Sequence, residues 1–281
     1  MHAPALMAVV TAGISFVLGL IYAYLIKWIP FIYLNFFITI GYGFAVGVVA
    51  GFMLKTGKVR NNGVAFMCGL LGGAMALYCA WSGHLHALAD DAPIFARPDQ
   101  LLEFVKYLYA EGSWGMRSGG NVNGILLAIV WGIEGVMIVG LTSLITLGAV
   151  SDTPFCEKKQ CWLDEEKQID TLAAFGEQDQ IAALAAGDLG PLTQAKACEE
   201  GSSVFARVTL KHSPKCDEFC TISVSNVTVT IDKDGDSNEN EETLAENLVL
   251  PKSMLDLIAK FENFTPVPAS TGTEQETPPV E

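Results

Sequence analysis

The sequence predicts a membrane all-α four-helix transmembrane bundle followed by a small soluble α+β domain with an antiparallel β-hairpin. Three observations carry this. The chain of 281 residues is 51% hydrophobic with a mean hydropathy of +0.36, and its apolar residues gather in long runs in the first half. Charge is divided unevenly: residues 1–150 hold seven Lys/Arg and six Asp/Glu, residues 151–281 hold ten and twenty-five. After residue 200 the apolar pattern changes to alternation, the period of a half-buried strand.

Four stretches are long and apolar enough for the ~30 Å hydrocarbon core: about 6–26, 31–54, 63–82 and 124–150. In lipid a lone segment must satisfy its backbone internally, so these read as helices. No Lys or Arg precedes the first, and no small-residue cleavage site follows it, so it reads as a retained helix rather than a signal peptide. Orientation follows from the basic residues. Lys55, Lys58, Arg60, Lys158, Lys159 and Lys167 fall on one side, and Lys27, Arg97, Lys106 and Arg117 on the other. The positive-inside rule then places both termini in the cytoplasm of a plasma or inner membrane.

Gly43, Gly47 and Gly51 recur four apart in the second span, as do Gly69 and Gly73 in the third. Residues four apart share a helix face, and small ones let backbones approach closely. The stripe suits an oligomer interface or a tight pore lining or, more commonly, packing among the chain's own helices. Glu134 is the acid of the fourth span, ten residues from Gly124 and so ~15 Å along the axis. A charge at that depth costs about 2.5–3.5 kcal/mol even on lenient scales. It reads either as a proton or cation site or as a neutral carboxyl bonded to a neighbour such as Asn35, Tyr42 or Ser143.

Between the third and fourth spans, His84, His86, Asp90 and Asp91 form a weak metal-ligating pattern, although two His separated by one residue point apart on a helix. Asp99 is a suitable N-cap for an amphipathic helix at about 99–110, with Leu101, Phe104, Val105 and Leu108 on one face. A glycine-rich turn over 112–120 leads back into the fourth span.

Residues 151–264 form an acidic domain, followed by an acidic disordered tail over 265–281. Asp164–Ala186 reads as two short helical pieces broken near Gly176. Val204–Leu210 and Ile222–Ile231 read as paired strands. The apolar parity switches between Val224 and Val227, which predicts a bulge near Ser225–Asn226. Pro251–Glu262 reads as a closing helix.

Of seven cysteines, Cys156 and Cys161 form one close pair and Cys216 and Cys220 another. Brought together they would offer four thiolates to a structural zinc, with His212 or Cys198 in reserve. Cys68 and Cys79 read as packing residues of the third span. The oxygen-rich run Asp232–Asn240 fails the calcium-loop spacing and reads as an acidic turn. Two glycosylation sequons, at Asn226 and Asn263, are chance matches on a cytoplasmic side.

The acidic half excludes nucleic-acid binding. No nucleophile–base motif, phosphate loop or pair of catalytic carboxylates emerges, so an enzyme is not the expected reading. The leading expectation is a membrane-anchored interaction or scaffold module. Its partners would be the lipid bilayer and a protein partner or second copy of the chain. The alternatives are a small transporter or channel subunit using Glu134 and a thiol- or metal-handling membrane protein.

Overall fold

The computed structural model describes residues 3–29, 31–89, 92–115, 121–199, 201–233 and 236–251. The closing helix expected after Pro251, the tail, the Asn263 sequon and residues 116–120 of the glycine-rich turn lie outside these. The chain divides into two compact units, Met1–Asp152 and Thr153–Glu281.

The first unit contains α1 (Ala3–Trp28), α2 (Ile32–Thr56), α3 (Asn62–Leu88), α4 (Pro98–Glu111), the short paired strands β1 (Trp114–Gly115) and β2 (Asn121–Val122), and α5 (Gly124–Ser151). Among the described residues, α1, α2, α3 and α5 are long and apolar enough to cross a membrane. Asn61 caps α3 by accepting the Val64 N–H at 3.0 Å. Lys27, in the last turn of α1, donates to the Ala87 carbonyl in the last turn of α3, so these two helices run parallel. The short helix α4 starts one residue earlier than expected. Pro98 occupies its first turn, where a missing N–H costs nothing, and Asp99 lies inside the helix rather than capping it.

Packing centres on α5, and glycines set the distances. A Cβ added at Gly43 would lie 3.2 Å from the Ile138 Cα, at Gly47 2.9 Å from the Ile145 Cβ and at Gly51 2.7 Å from the Ala149 Cβ. These pairs advance together along both chains, so α2 and α5 are parallel. From α3, a Cβ at Gly69 would meet the Ser143 Cα at 2.6 Å and one at Gly73 the Val139 Cα at 2.7 Å. This pairing runs in opposite directions, so α3 and α5 are antiparallel. Gly19 of α1 abuts Cys79 and Ala80 of α3 in the same manner. Hydroxyls reinforce the contacts: Thr142 Oγ1 donates to the Gly43 carbonyl at 3.2 Å.

The resulting surface is inverted relative to a water-soluble bundle. Buried positions of α3 are Ala65, Gly69, Gly73, Ala76, Cys79, Ala80, Ser82, Gly83 and Ala87, all small. Phe66, Met67, Leu71 and Met75 of the same helix face outward, as do Phe37, Phe44 and Phe52 of α2 and Ile125, Leu126, Ile129 and Val136 of α5. Where helices associate without a hydrophobic driving force, small residues make the contacts and bulky ones face the solvent.

The second unit contains a small hairpin of β3 (Phe155–Cys156) and β4 (Cys161–Trp162), then β5 (Glu165–Ala173), α6 (Gln178–Ala185), α7 (Gly190–Thr193), β6 (Val204–His212), β7 (Phe219–Ile231) and β8 (Ser237–Pro251). The last four strands form an antiparallel sheet in the order β5-β6-β7-β8. Its core comprises Ile169, Leu172, Phe175, Leu184, Leu192, Ala206, Val208, Leu210, Cys220, Ile222 and Val224, closed by Leu244, Ala245 and Leu250.

Three expectations need correction. The first piece of the predicted Asp164–Ala186 helix is strand β5. A register shift between Ile169 and Leu172 puts an extra residue into β5, so two residues three apart both face the core. That spacing imitates a helix. The predicted hairpin is part of a four-stranded sheet, because the glutamate-rich Ser237–Pro251 is itself a strand. The predicted bulge is not in β7, which pairs with β6 in unbroken register from Val204↔Thr228 to Lys211↔Thr221. The extra residues lie opposite, in β8, where the register shifts between Ile222 and Ser225, and where Asn247 adopts a φ of 50°. The parity switch is real. Asn226 takes the core-facing position after Val224. Its side chain accepts the Phe175 N–H at 3.0 Å and donates to the Phe175 carbonyl at 2.8 Å.

The opposite face of the sheet is organised by Arg207. Its guanidinium is only 13% exposed and forks onto Asp170 at 2.9 and 3.0 Å while reaching Glu239 at 3.0 Å. Ser225 donates to Glu241 beside it. This cation lets the acidic start of β8 pair as a strand despite its poor propensity.

Two outcomes follow. Gly73→Ala forces the α3 and α5 backbones apart and lowers stability by about 1–3 kcal/mol, whereas Gly41→Ala, with nothing within 4 Å of the added methyl, does not. Thermal unfolding of the detergent-purified chain separates the two. Asn226→Ala strands both polar groups of Phe175 and lowers the stability of the second unit by about 1–3 kcal/mol, read by hydrogen exchange of β6 and β7.

Candidate functional site: the cavity around Glu134

The glycine contacts end at Ile138. From there toward the N-terminal end of α5 the neighbouring positions carry large side chains, and the four helices enclose a cavity of about 280 Å³. Tyr22 and Ile26 contribute from α1; Asn35, Phe36 and Thr39 from α2; Leu77, Trp81 and His84 from α3; Trp131, Glu134 and Met137 from α5. Ser113, just beyond α4, also lines it. Phe36 and Ile133 also line the cavity and are 49% and 51% exposed, so it reaches the outer surface of the helical unit at α2 and α5.

Helical periodicity places Glu134 here. Its neighbours Ile133 and Val136 face outward at 51% and 74% exposure, leaving Glu134 and Ile138 on the inward side. Glu134 has no hydrogen-bond or ion-pair partner among the described residues. The three neighbours expected to satisfy it are otherwise engaged or apart. Tyr42 donates to the Ala76 carbonyl at 2.8 Å, and Ser143 to the Val139 carbonyl at 2.6 Å. Asn35 shares the cavity wall, yet its Oδ1 is buried without a partner.

The hydroxyls nearby are spent on one another. Tyr22 and Thr39 bond at 3.1 Å, and Thr39 Oγ1 donates to the Asn35 backbone carbonyl at 2.9 Å, so the Tyr22 hydroxyl is the donor of the pair. Tyr22 also stacks on Tyr42 with ring centroids 4.8 Å apart. Trp81 and Trp131 meet nearly at right angles, 5.0 Å between centroids, and His84 packs on Trp81 and Phe104. The wall therefore offers a carboxyl, the His84 imidazole, the Ser113 hydroxyl and a corner of two indoles.

The remaining predicted residues are placed as follows. Gly43, Gly47, Gly51, Gly69 and Gly73 lie at the helix contacts described above. His84 faces the cavity, while His86 Nδ1 bonds the Ala92 carbonyl at 2.8 Å, so the two point apart. Asp90 and Asp91 lie outside the described residues. In the second unit, Cys156, Cys161 and Cys216 gather with Leu163 and Phe219. Cys220 does not join them: it belongs to β7, where alternation turns it into the sheet core against Leu250. Cys198 sits apart against the Glu199 carbonyl, and His212 faces Glu165 at 3.6 Å. Among the described residues no group of three or more His, Cys, Asp or Glu is placed to hold a metal ion. The four-thiolate zinc set is therefore not assembled.

The gathered thiols are nonetheless polarised. Burial pushes the Cys156 thiol up, and its hydrogen bond to Cys216 adds to this against the Lys159 N–H. Burial also pushes Cys216 up, but the Phe219 N–H, the Cys156 thiol and the Glu218 N–H together hold it below the ordinary thiol range. Lys158–Glu218 and Lys159–Asp217 ion pairs, each 3.0 Å, tie the two turns that carry these cysteines.

Sequence reasoning reached Glu134 but not the cavity. Asn35 is legible in the sequence as a neighbour for Glu134, whereas Trp81 and Trp131 are there only aromatic residues within apolar runs. Nothing in one sequence says that three helices aim them at the same acid.

Of the three gathered thiols, half-buried Cys161 is expected to alkylate first in the folded chain, with Cys156 and Cys216, both fully buried, reacting only on unfolding. Raising the pH ionises Cys216 before Cys156, so thiolate absorbance of Cys216→Ser rises only at higher pH than in the wild type. No protein-family model matches the chain, and no curated protein or solved structure matches it either.

Proposed function

We propose that the chain is a multi-pass membrane protein whose helical unit admits a small solute to the cavity around Glu134, as a small transporter or channel subunit. The observation that carries this reading is an acidic side chain in an apolar helix that faces a cavity and has no partner among the described residues. An ionisable group inside a membrane is costly and tends to mark a substrate or ion path. Membrane placement is supported by four helices of spanning length and by their outward-facing Phe, Leu, Ile and Val. The distribution of Lys and Arg supports cytoplasmic termini, with the acidic second unit inside and the Ser113 end of the cavity outside.

A second reading, the membrane-anchored interaction module, is favoured by one observation. The second unit carries its own core and a strongly acidic surface, as a docking domain for a basic protein partner would. On that reading the helices are an anchor, and Glu134 has no task.

Flux in proteoliposomes tests the choice. With the full chain reconstituted, uptake of protons, monovalent cations or small organic solutes is expected in the wild type and lost in Glu134→Gln. Equal or absent flux in both removes the transport reading and leaves the anchor.

A further inference from the structure

Resting on the reading of the Glu134 cavity as a solute site, the wall chemistry also names the solute. We propose that the cavity binds a small organic ammonium ion, a singly protonated amine with an apolar body.

Charge favours a cation. Glu134 is the carboxyl of the wall and has no cation paired with it among the described residues. A lone buried carboxylate is expensive, and a ligand bearing one positive charge relieves that cost. Hydrogen-bond supply favours a donor. Tyr22 and Thr39 have already used their protons, and Asn35 Oδ1 is buried with nothing donating to it. Neither hydroxyl therefore donates to Glu134, which has no partner among the described residues, and a protonated amine carries N–H donors on the same atom as its charge.

A bare inorganic cation does not fit this wall. Hard cations such as calcium or magnesium take six or more oxygen ligands, or keep water in their place. The oxygen-bearing side chains of this wall are Glu134, Asn35, Ser113 and the mutually bonded Tyr22 and Thr39, with one carboxylate among them; the remainder is aromatic, imidazole, thioether or aliphatic. Trp81 and Trp131, set at 83° to one another, form the kind of π-corner that attracts an organic cation. Leu77 and Met137 then cover its apolar part. Because Phe36 and Ile133 bring the cavity to the unit's outer surface, an amine carrying a hydrocarbon group has a route from the lipid side as well as from the Ser113 end.

The test uses the full chain purified in detergent, with benzylammonium as probe and benzyl alcohol as its neutral counterpart, followed by calorimetry and tryptophan quenching. Saturable benzylammonium binding is expected, about tenfold or more tighter than benzyl alcohol. It should weaken by a similar factor in Glu134→Gln while Glu134→Asp retains part of it. Thermal unfolding confirms that each variant is folded, and Trp131→Phe, which keeps an aromatic ring, should weaken binding less than Glu134→Gln does. Equal binding of the amine and the alcohol, or unchanged binding in Glu134→Gln, overturns the proposal. Glu134-dependent flux of protons or sodium without benzylammonium binding also overturns it, while leaving the solute-site reading intact; absence of both flux and binding removes the two together.

Discussion

The first unit depends on how closely α5 can be approached. Two glycine stripes, one from α2 and one from α3, meet it over the same stretch, Ile138–Ala149. At Gly69 and Gly73 the atom facing the glycine is a backbone Cα of the partner, so no side-chain adjustment would make room for a methyl. Close approach over half of α5 determines the other half. Beyond Ile138, Trp131 of α5 and the facing Trp81, Phe36 and Tyr22 cannot pack at glycine distance, and the space between them is the cavity. In the proposed bilayer setting this is one packing decision with two outcomes: a tight end and an open end.

Polar accounting separates the site from its surroundings. Thr142, Ser143, Thr146, Thr39 and Tyr42 each donate to a backbone carbonyl, and Tyr22 donates to Thr39, so these interior hydroxyls are satisfied without Glu134. Buried polar groups in folded proteins are almost always bonded. Against that background, the Asn35 oxygen, buried without a partner, and the Glu134 carboxyl, which lines the cavity, stand out. A purely structural glutamate would be expected to take Tyr42 or Ser143 as its donor, and neither does so.

In the second unit the corresponding constraint is electrostatic. A glutamate-rich segment completes the sheet because Arg207, flanked by carboxylates from β5 and β8, neutralises the face on which those acids converge. Near the start of the same unit, hydrogen bonding between Cys156 and Cys216 holds two turns together without the fourth thiol that a zinc knuckle pair would need. Alternation along β7 prevents that fourth ligand: Phe219 faces the thiols, and Cys220 therefore cannot.

Much of this was legible in the residues alone. Apolar runs of spanning length, the glycine spacing, the acid within the fourth run and the alternation of Val204–Leu210 each follow from composition and period, which are local properties. Three features were not local. A bulge at Ile169–Leu172 gave a strand the spacing of a helix. An acidic strand formed because an arginine two strands away was placed beneath it. The cavity exists because helices distant in sequence approach closely at one end and diverge at the other. Sequence by itself determined which segments are apolar, where backbones can meet and where a charge is out of place. Only the tertiary structure decided what that charge faces, because the residues around Glu134 come from four helices whose relative register is set by contacts at the glycines, on the far side of Ile138.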